Sequence, residues 1–313
     1  MTRALVMGAA GFIGSHLCRE LLDRGHTVRG FDNFSTGDRA RVSALADREG
    51  FEFVEGDLRD EAAVKATVGD IEWVFHQAAV PSVPQSVENT KLATTANCVG
   101  STNLLVAARD AGVESVVVAS SSSVYGSGGE LPKREDQLED PESPYALSKY
   151  WTERLAIQFS DLYGLDTVAL RYFNVFGPGQ NPDGEYAAVI PKFIHLMLDG
   201  ERPVIYGDGE QSRDFTYIEN VLEANVRTAK SDCTGEALNV GCGDNMTING
   251  LVEQLNDVIG SDLDPIHDDP RPGDVRHSHA DISEARDCIG YEPTVGFWDG
   301  LEQTVESERN SRE

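Results

Sequence analysis

The chain has 313 residues, 40% of them hydrophobic and 25% charged, a globular composition with room for a sizeable core. Acidic residues outnumber basic ones 53 to 26, and the resulting formal charge of −27 disfavours nonspecific binding to nucleic acid or anionic lipid. The longest apolar runs, such as SVVVA at 115–119, are strand-sized and far short of a bilayer span.

The first half alternates strand-like and helix-like segments. RALVMG (3–8), TVRGFD (27–32), FEFVEG (51–56), EWVFHQAA (72–79), SVVVASS (115–121) and DTVALRYFN (166–174) read as strands. Helical stretches lie between them near 12–24, 39–48, 60–68, 88–110 and 145–163. That alternation predicts an α/β fold, a doubly wound parallel sheet with helices on both faces. After Asn174 the texture turns to VFGPGQNPDGEY, rich in turn formers, and the last third mixes short strands and helices. The expected division is a nucleotide-binding domain over 1–175 plus about 215–241, and a smaller α/β substrate domain over 176–214 and 242–313.

The first strand starts almost at residue 1, and no signal peptide is expected ahead of it. Five cysteines, Cys18, Cys98, Cys233, Cys242 and Cys288, form no CxxC pair and are odd in number. Reduced thiols in a cytoplasm are expected, with neither a disulfide framework nor a metal site.

MGAAGFIGSHL (7–17) follows the first strand and opens the first helix. Its Gly8, Gly11 and Gly14 let the backbone turn sharply and approach a pyrophosphate, which the helix N-terminus favours. Such a triplet is weak alone; the flanking strand and helix, and Asp32 at the end of the second strand, strengthen it. Asp32 is placed to accept hydrogen bonds from an adenosine ribose and would repel a 2′-phosphate, so NAD is expected rather than NADP. Asp57 and Leu58 in GDLRD could receive the adenine, and the small Ala78 and Ala79 in HQAAV would let a cofactor approach the backbone. A turn with a helix cap, and tight packing, are the plainer accounts of those two stretches. In SPYALSK, Tyr145 and Lys149 sit one helical turn apart on one face. A nearby ammonium favours phenolate over phenol, which would ready Tyr145 as a base.

GAAGFIG, FDNFSTG, GDLRD, HQAA, SSSSVYG, SPYALSK and LRYFNVFGPGQ occur in the order found in the extended short-chain dehydrogenase/reductase family, and the resemblance covers essentially the whole chain. Within that family the chain looks most like the NAD-dependent nucleotide-sugar 4-epimerases, and closest to the group acting on UDP-N-acetylglucosamine. The resemblance implies a Rossmann domain holding NAD and a smaller domain gripping a UDP-sugar. It makes Tyr145 the base, readied by Lys149 and the positive nicotinamide of NAD+ together, Lys149 also a nicotinamide-ribose contact, and Ser121 the catalytic serine, with Ser122 and Ser123 as neighbouring candidates. Phe12, Ile13, Asn33, Ser35, Gly37, Gln77, Asn97 and Tyr172 are implied along the cofactor's path. A local amide role inside a helix is the plainer account of Asn97.

On the substrate side the resemblance implies Ser82, Asn174, Ala188, Val189, Tyr206, Arg213, Arg271, Asp274 and Ser278. Arg213 and Arg271 would fork onto the diphosphate, which matters in a chain this acidic. Ser278 occupies the family's gate to the sugar pocket: a Tyr there limits the pocket to glucose and galactose, and a small residue admits an N-acetyl group. The expected reaction is therefore C4 inversion of UDP-N-acetylglucosamine and UDP-N-acetylgalactosamine, extending to UDP-glucose and UDP-galactose. A UDP-glucuronate 4-epimerase is the alternative, and a non-catalytic NAD-sensing binding protein the alternative of another class. Dehydratases of the family carry Thr-Asp-Glu, and the UDP-glucuronate decarboxylases a Glu, where this chain has serines. The resemblance also implies a homodimer through the helices at 88–110 and 145–163, with Trp151, Leu155, Phe159 and Leu162 as an apolar stripe.

So large a negative charge repels itself at low ionic strength and is tolerated under strong screening, as in a halophile's salt-rich cytoplasm. Melting temperature is expected to rise from low to multimolar KCl. A melting curve indifferent to salt removes that reading.

Overall fold

The computed structural model describes residues 1–183, 188–270 and 275–312. Seven strands build one sheet: β1 (Arg3–Met7), β2 (Thr27–Asp32), β3 (Phe51–Glu55), β4 (Trp73–His76), β5 (Ser115–Ser121), β6 (Thr167–Tyr172) and β7 (Glu236–Val240). Their spatial order is β7-β6-β5-β4-β1-β2-β3, and every neighbouring pair is parallel. The chain reverses its winding between β1 and β4, so a crevice opens beyond the carboxyl ends of those strands. This is the Rossmann-type doubly wound sheet that the alternation predicts.

Five helices cover the sheet: α1 (Phe12–Asp23), α2 (Glu61–Val68), α3 (Gly100–Ala111), α4 (Pro144–Tyr163) and α5 (Ile218–Lys230). Alternate strand residues feed two separate cores. Ala4 and Val6 of β1 join Val117 and Ala119 of β5 against α1 and α5. Leu5 and Met7 join Val116 and Val118 against α2, α3 and α4. Burial on both faces explains why β5 reads as a nearly continuous apolar run rather than an alternating one. Further helices after β6, at Val189–Leu198, Ile248–Ile259, Ser283–Ile289 and Phe297–Arg312, come with strands of two or three residues.

The helix expected over 88–110 is broken. Val83–Glu88 and Thr90–Thr94 are separate helices, a π-helical turn fills Thr95–Val99, and α3 follows. Asn89 leaves helical geometry at φ −131° and its side chain caps the next helix at the Leu92 amide, which stops one helix and starts another. The stretch expected as helix over 39–48 is helical only at Arg39–Ser43. By contrast α4 begins where Ser143 caps the Ala146 amide, with Pro144 at its first position, and ends at left-handed Gly164. Its expected apolar stripe divides: Phe159 is buried and Leu155 packs against the core, while Trp151 and Leu162 face outward with Leu147.

Two features were not expected. Cys233 and Cys288 are joined in a disulfide, linking the turn after α5 to the helix Ser283–Ile289; Cys18, Cys98 and Cys242 are free. This corrects the expectation of reduced thiols throughout. The partners lie 55 residues apart in no recognisable motif, so only the fold brings them together. The second is a buried ion pair. Arg171 of β6, 1% exposed, forks onto Glu153 of α4, 0% exposed, through Nε at 3.0 Å and Nη2 at 2.6 Å. Its Nη2 also donates to Glu139, at 2.6 Å, and its Nη1 donates to the Tyr125 hydroxyl at 2.8 Å. Ser120 of β5 donates to Glu153, and Tyr125 donates to Asn239 of β7. One network thus joins β5, β6, β7 and α4 just below their site-bearing ends.

Candidate active site

A cleft of about 1170 Å³ runs along the carboxyl ends of β1, β4 and β5. At one end lies the glycine loop. Gly8 has φ +85°, and a Cβ there would come within 2.7 Å of the Ala78 backbone nitrogen; a Cβ on Gly14 would lie 2.0 Å from the Gly8 carbonyl oxygen. Only glycine allows the loop to close this tightly and present the first turn of α1 to the cleft. Gly11, Phe12 and Ile13 line the wall beside them. Asp32 steadies the loop: its carboxylate accepts from the Ala10 amide at 3.0 Å and the Phe34 amide at 2.7 Å. Each oxygen keeps a second lone pair for a hydroxyl.

Asn33, Ser35, Asp57, Leu58, Gln77, Ala78, Ala79 and Tyr172 also line the cleft. Asp57 is committed more than expected. Arg59, two residues on, forks back onto it and Asn33 donates at 2.9 Å, and these bonds hold its carboxyl well below the usual range. Gly37 stands behind the wall, where a Cβ would meet the Ala10 Cβ at 2.6 Å. Asn97 is likewise not a wall residue. It is buried, and its amide is spent on both backbone groups of Val80 and on Ser148, so it braces the turn after β4 from behind.

At the centre stand Ser121, Ser122, Ser123 and Tyr145. Ser121 is the serine that hydrogen-bonds the Tyr145 phenol, and it also accepts from the Ser123 hydroxyl at 2.9 Å. Lys149 lies behind Tyr145, buried, with Nζ 6.0 Å from the centre of the phenol ring and donating to the Ala119 carbonyl at 2.9 Å. Burial pushes the ammonium down to about 8. Burial also pushes the Tyr145 phenol up, and the Ser121 hydrogen bond pulls it only part of the way back. Desolvation of the phenolate thus wins in the protein by itself.

Beyond Tyr145 the cleft continues past Ser82, Asn174, Ala188, Arg213 and Ser278. An adjoining hollow of about 280 Å³ shares Asn174, Ala188 and Arg213 with it and is lined by Val189 and Tyr206. Asn174 sits at φ +29°, and its amide donates to the Asp214 carbonyl at 3.0 Å and the Ser278 hydroxyl at 3.4 Å. Strained backbone of this kind is common at ligand-binding positions. Arg271 and Asp274 lie outside the described residues.

Four residues escaped the sequence reading. Gln180 lines the cleft with a buried amide oxygen that has no hydrogen-bond partner among the described residues. Lys133 and Arg41 add cations to its wall. Asp214 organises the far end: fully buried, it accepts from the amides of Cys242, Gly243 and Ala280. Nothing in the spacing of GDGEQSRDF marks Asp214, because its three partners come from two other segments.

Comparison with known proteins fits this geometry. A family model described as the NAD dependent epimerase/dehydratase family matches residues 4–241. This chain belongs to that family. The UDP-glucose 4-epimerase of Mycolicibacterium smegmatis is 38% identical over 98% of this chain and 99% of its own. The solved UDP-N-acetylglucosamine 4-epimerase from Methanobrevibacter ruminantium, in complex with UDP-N-acetylmuramic acid, is 42% identical, with a TM-score of 0.95 over 99% of both chains. The UDP-glucuronic acid 4-epimerase from Bacillus cereus, in complex with UDP-glucuronic acid and NAD, is 32% identical, with a TM-score of 0.91 over 99% of both. The crowded glycine loop, the α1 terminus and the Asp32 carboxylate fit the dinucleotide in the family's description.

Burial holds the Asp214 carboxyl up at about 6, against the pull of its three amide donors. Its folded pKa is thus above the ordinary aspartate value, so between about pH 4 and 6 the folded state holds the extra proton. This group's contribution to stability falls as pH rises through that window. Asp214→Asn is expected to flatten that part of the stability curve, read by thermal melts from pH 4 to 7. An unchanged slope contradicts the assignment.

Proposed function

We propose that the protein inverts C4 of a UDP-hexose and that UDP-N-acetylglucosamine and UDP-N-acetylgalactosamine are its preferred pair. The observation that carries the reading is the small Ser278 at the far end of the cleft, tied by its hydroxyl to Asn174 where the family's gate stands. The 42% identity to a UDP-N-acetylglucosamine 4-epimerase supports it.

NAD, when bound, supplies the hydride acceptor and a positive ring beside Tyr145. Tyr145 takes the proton of the sugar 4-hydroxyl at its phenolic oxygen, and Ser121, already bonded to that phenol, bridges the two. Lys149 holds positive charge close behind the ring and stabilises the phenolate. Arg213, and by the resemblance Arg271, would grip the diphosphate while the 4-keto sugar turns over, so that the hydride would return to the opposite face of C4 and Tyr145 would give the proton back to O4. The division of labour between a Rossmann domain over 1–175 plus about 215–241 and a substrate domain in the remainder belongs to the same reading.

One observation favours a second substrate. Lys133, whose ammonium is bonded to the Gly128 carbonyl, lines the cleft and could meet a uronate carboxylate. Incubation with four UDP-sugars in high salt separates the readings. Interconversion of the N-acetylated pair is expected; conversion of UDP-glucuronate alone favours the second, and no product at all leaves an NAD-binding protein without turnover. Tyr145→Phe should lower kcat by about 10²–10⁴-fold. Ser278→Tyr should suppress the N-acetyl activity by roughly 10–200-fold while sparing UDP-glucose, and equal loss on both pairs counts against the gate.

The outward Leu147, Trp151 and Leu162 of α4, with exposed Val83, Val87 and Val99 on the segments packed beside it, suit a second copy of the chain as cover. Sedimentation velocity should find a dimer that Trp151→Glu splits; a wild-type monomer ends the dimer reading.

A further inference from the structure

The glycine-rich end of the cleft is crossed by chain arriving from its far side. After Asn174 the backbone runs through Gly177, Pro178 and Gly179 and returns to the phosphate loop. His16 of α1 meets the Pro178 carbonyl through Nε2 at 2.9 Å. Arg41 reaches further. Its Nη1 donates to the Ala10 carbonyl in the glycine loop at 3.2 Å, and its Nη2 donates to the Gly179 carbonyl at 2.7 Å. One planar guanidinium therefore spans the phosphate loop and the crossing segment. Gln180 and Asn181, next along the chain, line the cleft together with Gly11, Phe12 and Arg41. The crossing segment faces the loop over the place where a pyrophosphate would lie.

Arg41 is partly buried, and among the described residues its side chain makes no hydrogen bond to a carboxylate. Burial works against its charge, relieved only weakly by Asp38, and that charge also disfavours protonation of neighbouring His16. A guanidinium so placed is left with N–H groups to spare beside the positive end of α1. Both favour an anion held between the loop and the crossing chain.

We propose that residues 177–181 form a strap that retains the dinucleotide, with Arg41 as its principal fastening and His16 as a second. The proposal rests on reading the cleft as the NAD site. It supplies what a reaction of this kind needs: a cofactor that takes and returns the same hydride must not leave in between. Arg41 is a positioning residue here, acting through the strap rather than on the sugar.

The test is the rate at which NAD leaves the purified protein, followed by nucleotide retained after rapid gel filtration. Arg41→Ala should release NAD at least about tenfold faster than wild type, and adding His16→Ala should raise the rate again. Binding of UDP in the absence of a sugar should be unchanged. Arg41→Lys keeps the charge but replaces the two-nitrogen fork by a single ammonium nitrogen on a shorter reach, so it should also release NAD faster; it carries the test if Arg41→Ala fails to fold. Release from Arg41→Lys at the wild-type rate overturns the strap. A wild-type protein that binds no NAD sinks the cofactor reading and the strap together, whereas one that binds NAD and releases it at the variants' rate sinks the strap alone.

Discussion

Arg171 and Glu153 meet where water does not reach, and the site stands on that pair. Each member adjoins a residue of the reaction centre on its own element. Glu153 is one helical turn beyond Lys149, Arg171 precedes Tyr172, and Ser120, bonded to Glu153, precedes Ser121. Charges taken out of water are tolerated when good hydrogen bonds compensate, and here Arg171 makes four and Glu153 accepts at both oxygens. Losing one partner would strand the other and loosen three strand tips and a helix together. Rigid support of this kind keeps the Tyr145 phenol and the Ser121 hydroxyl in one geometry.

The electrostatics of the cleft run against those of the whole molecule. A chain of charge −27 is read here as the host of two anionic ligands, a dinucleotide and a nucleotide sugar. Distant charges are screened within about a Debye length, so the local set decides binding. Among the described residues that set includes the α1 terminus, Arg41 at the glycine-loop end, Lys133 and Lys149 near the centre, and Arg213 at the far end. Burial works against the charge of Arg41, Lys133 and Lys149. A buried cation without a carboxylate is costly until an anion arrives, which couples the wall to its ligands. The same logic applies to Tyr145: burial holds its proton on, and added positive charge beside it would favour the phenolate.

What the sequence does not show is which neighbours a side chain meets. Of three expected cofactor residues, Asp57 lines the cleft while bonded to Arg59 and Asn33, and Asn97 and Gly37 stand behind its wall. Asn97 braces Val80, Gly37 makes room for Ala10, and Asp57 is taken by Arg59. Cys233 and Cys288 are too far apart in the chain to suggest a pair. Asp214 lies beside Arg213 and Arg171 beside Tyr172, yet the partners of both come from distant segments that the local sequence does not show.

What the residue order settled by itself is local and periodic. Alternating apolar strands and helices demand a parallel sheet covered on both faces, and the glycine loop before α1 demands a phosphate-sized approach of the backbone. Tyr145 and Lys149 share a face because a helical turn spans their separation. What only the tertiary structure decided is which groups from distant segments meet. Ser121 rather than Ser122 or Ser123 reaches the phenol, Ser278 meets Asn174, and Arg41 joins Ala10 to Gly179. Such contacts depend on strand order and on how the chain returns to the sheet after Asn174. Backbone torsions set by near neighbours do not encode them; the packing of the two cores does.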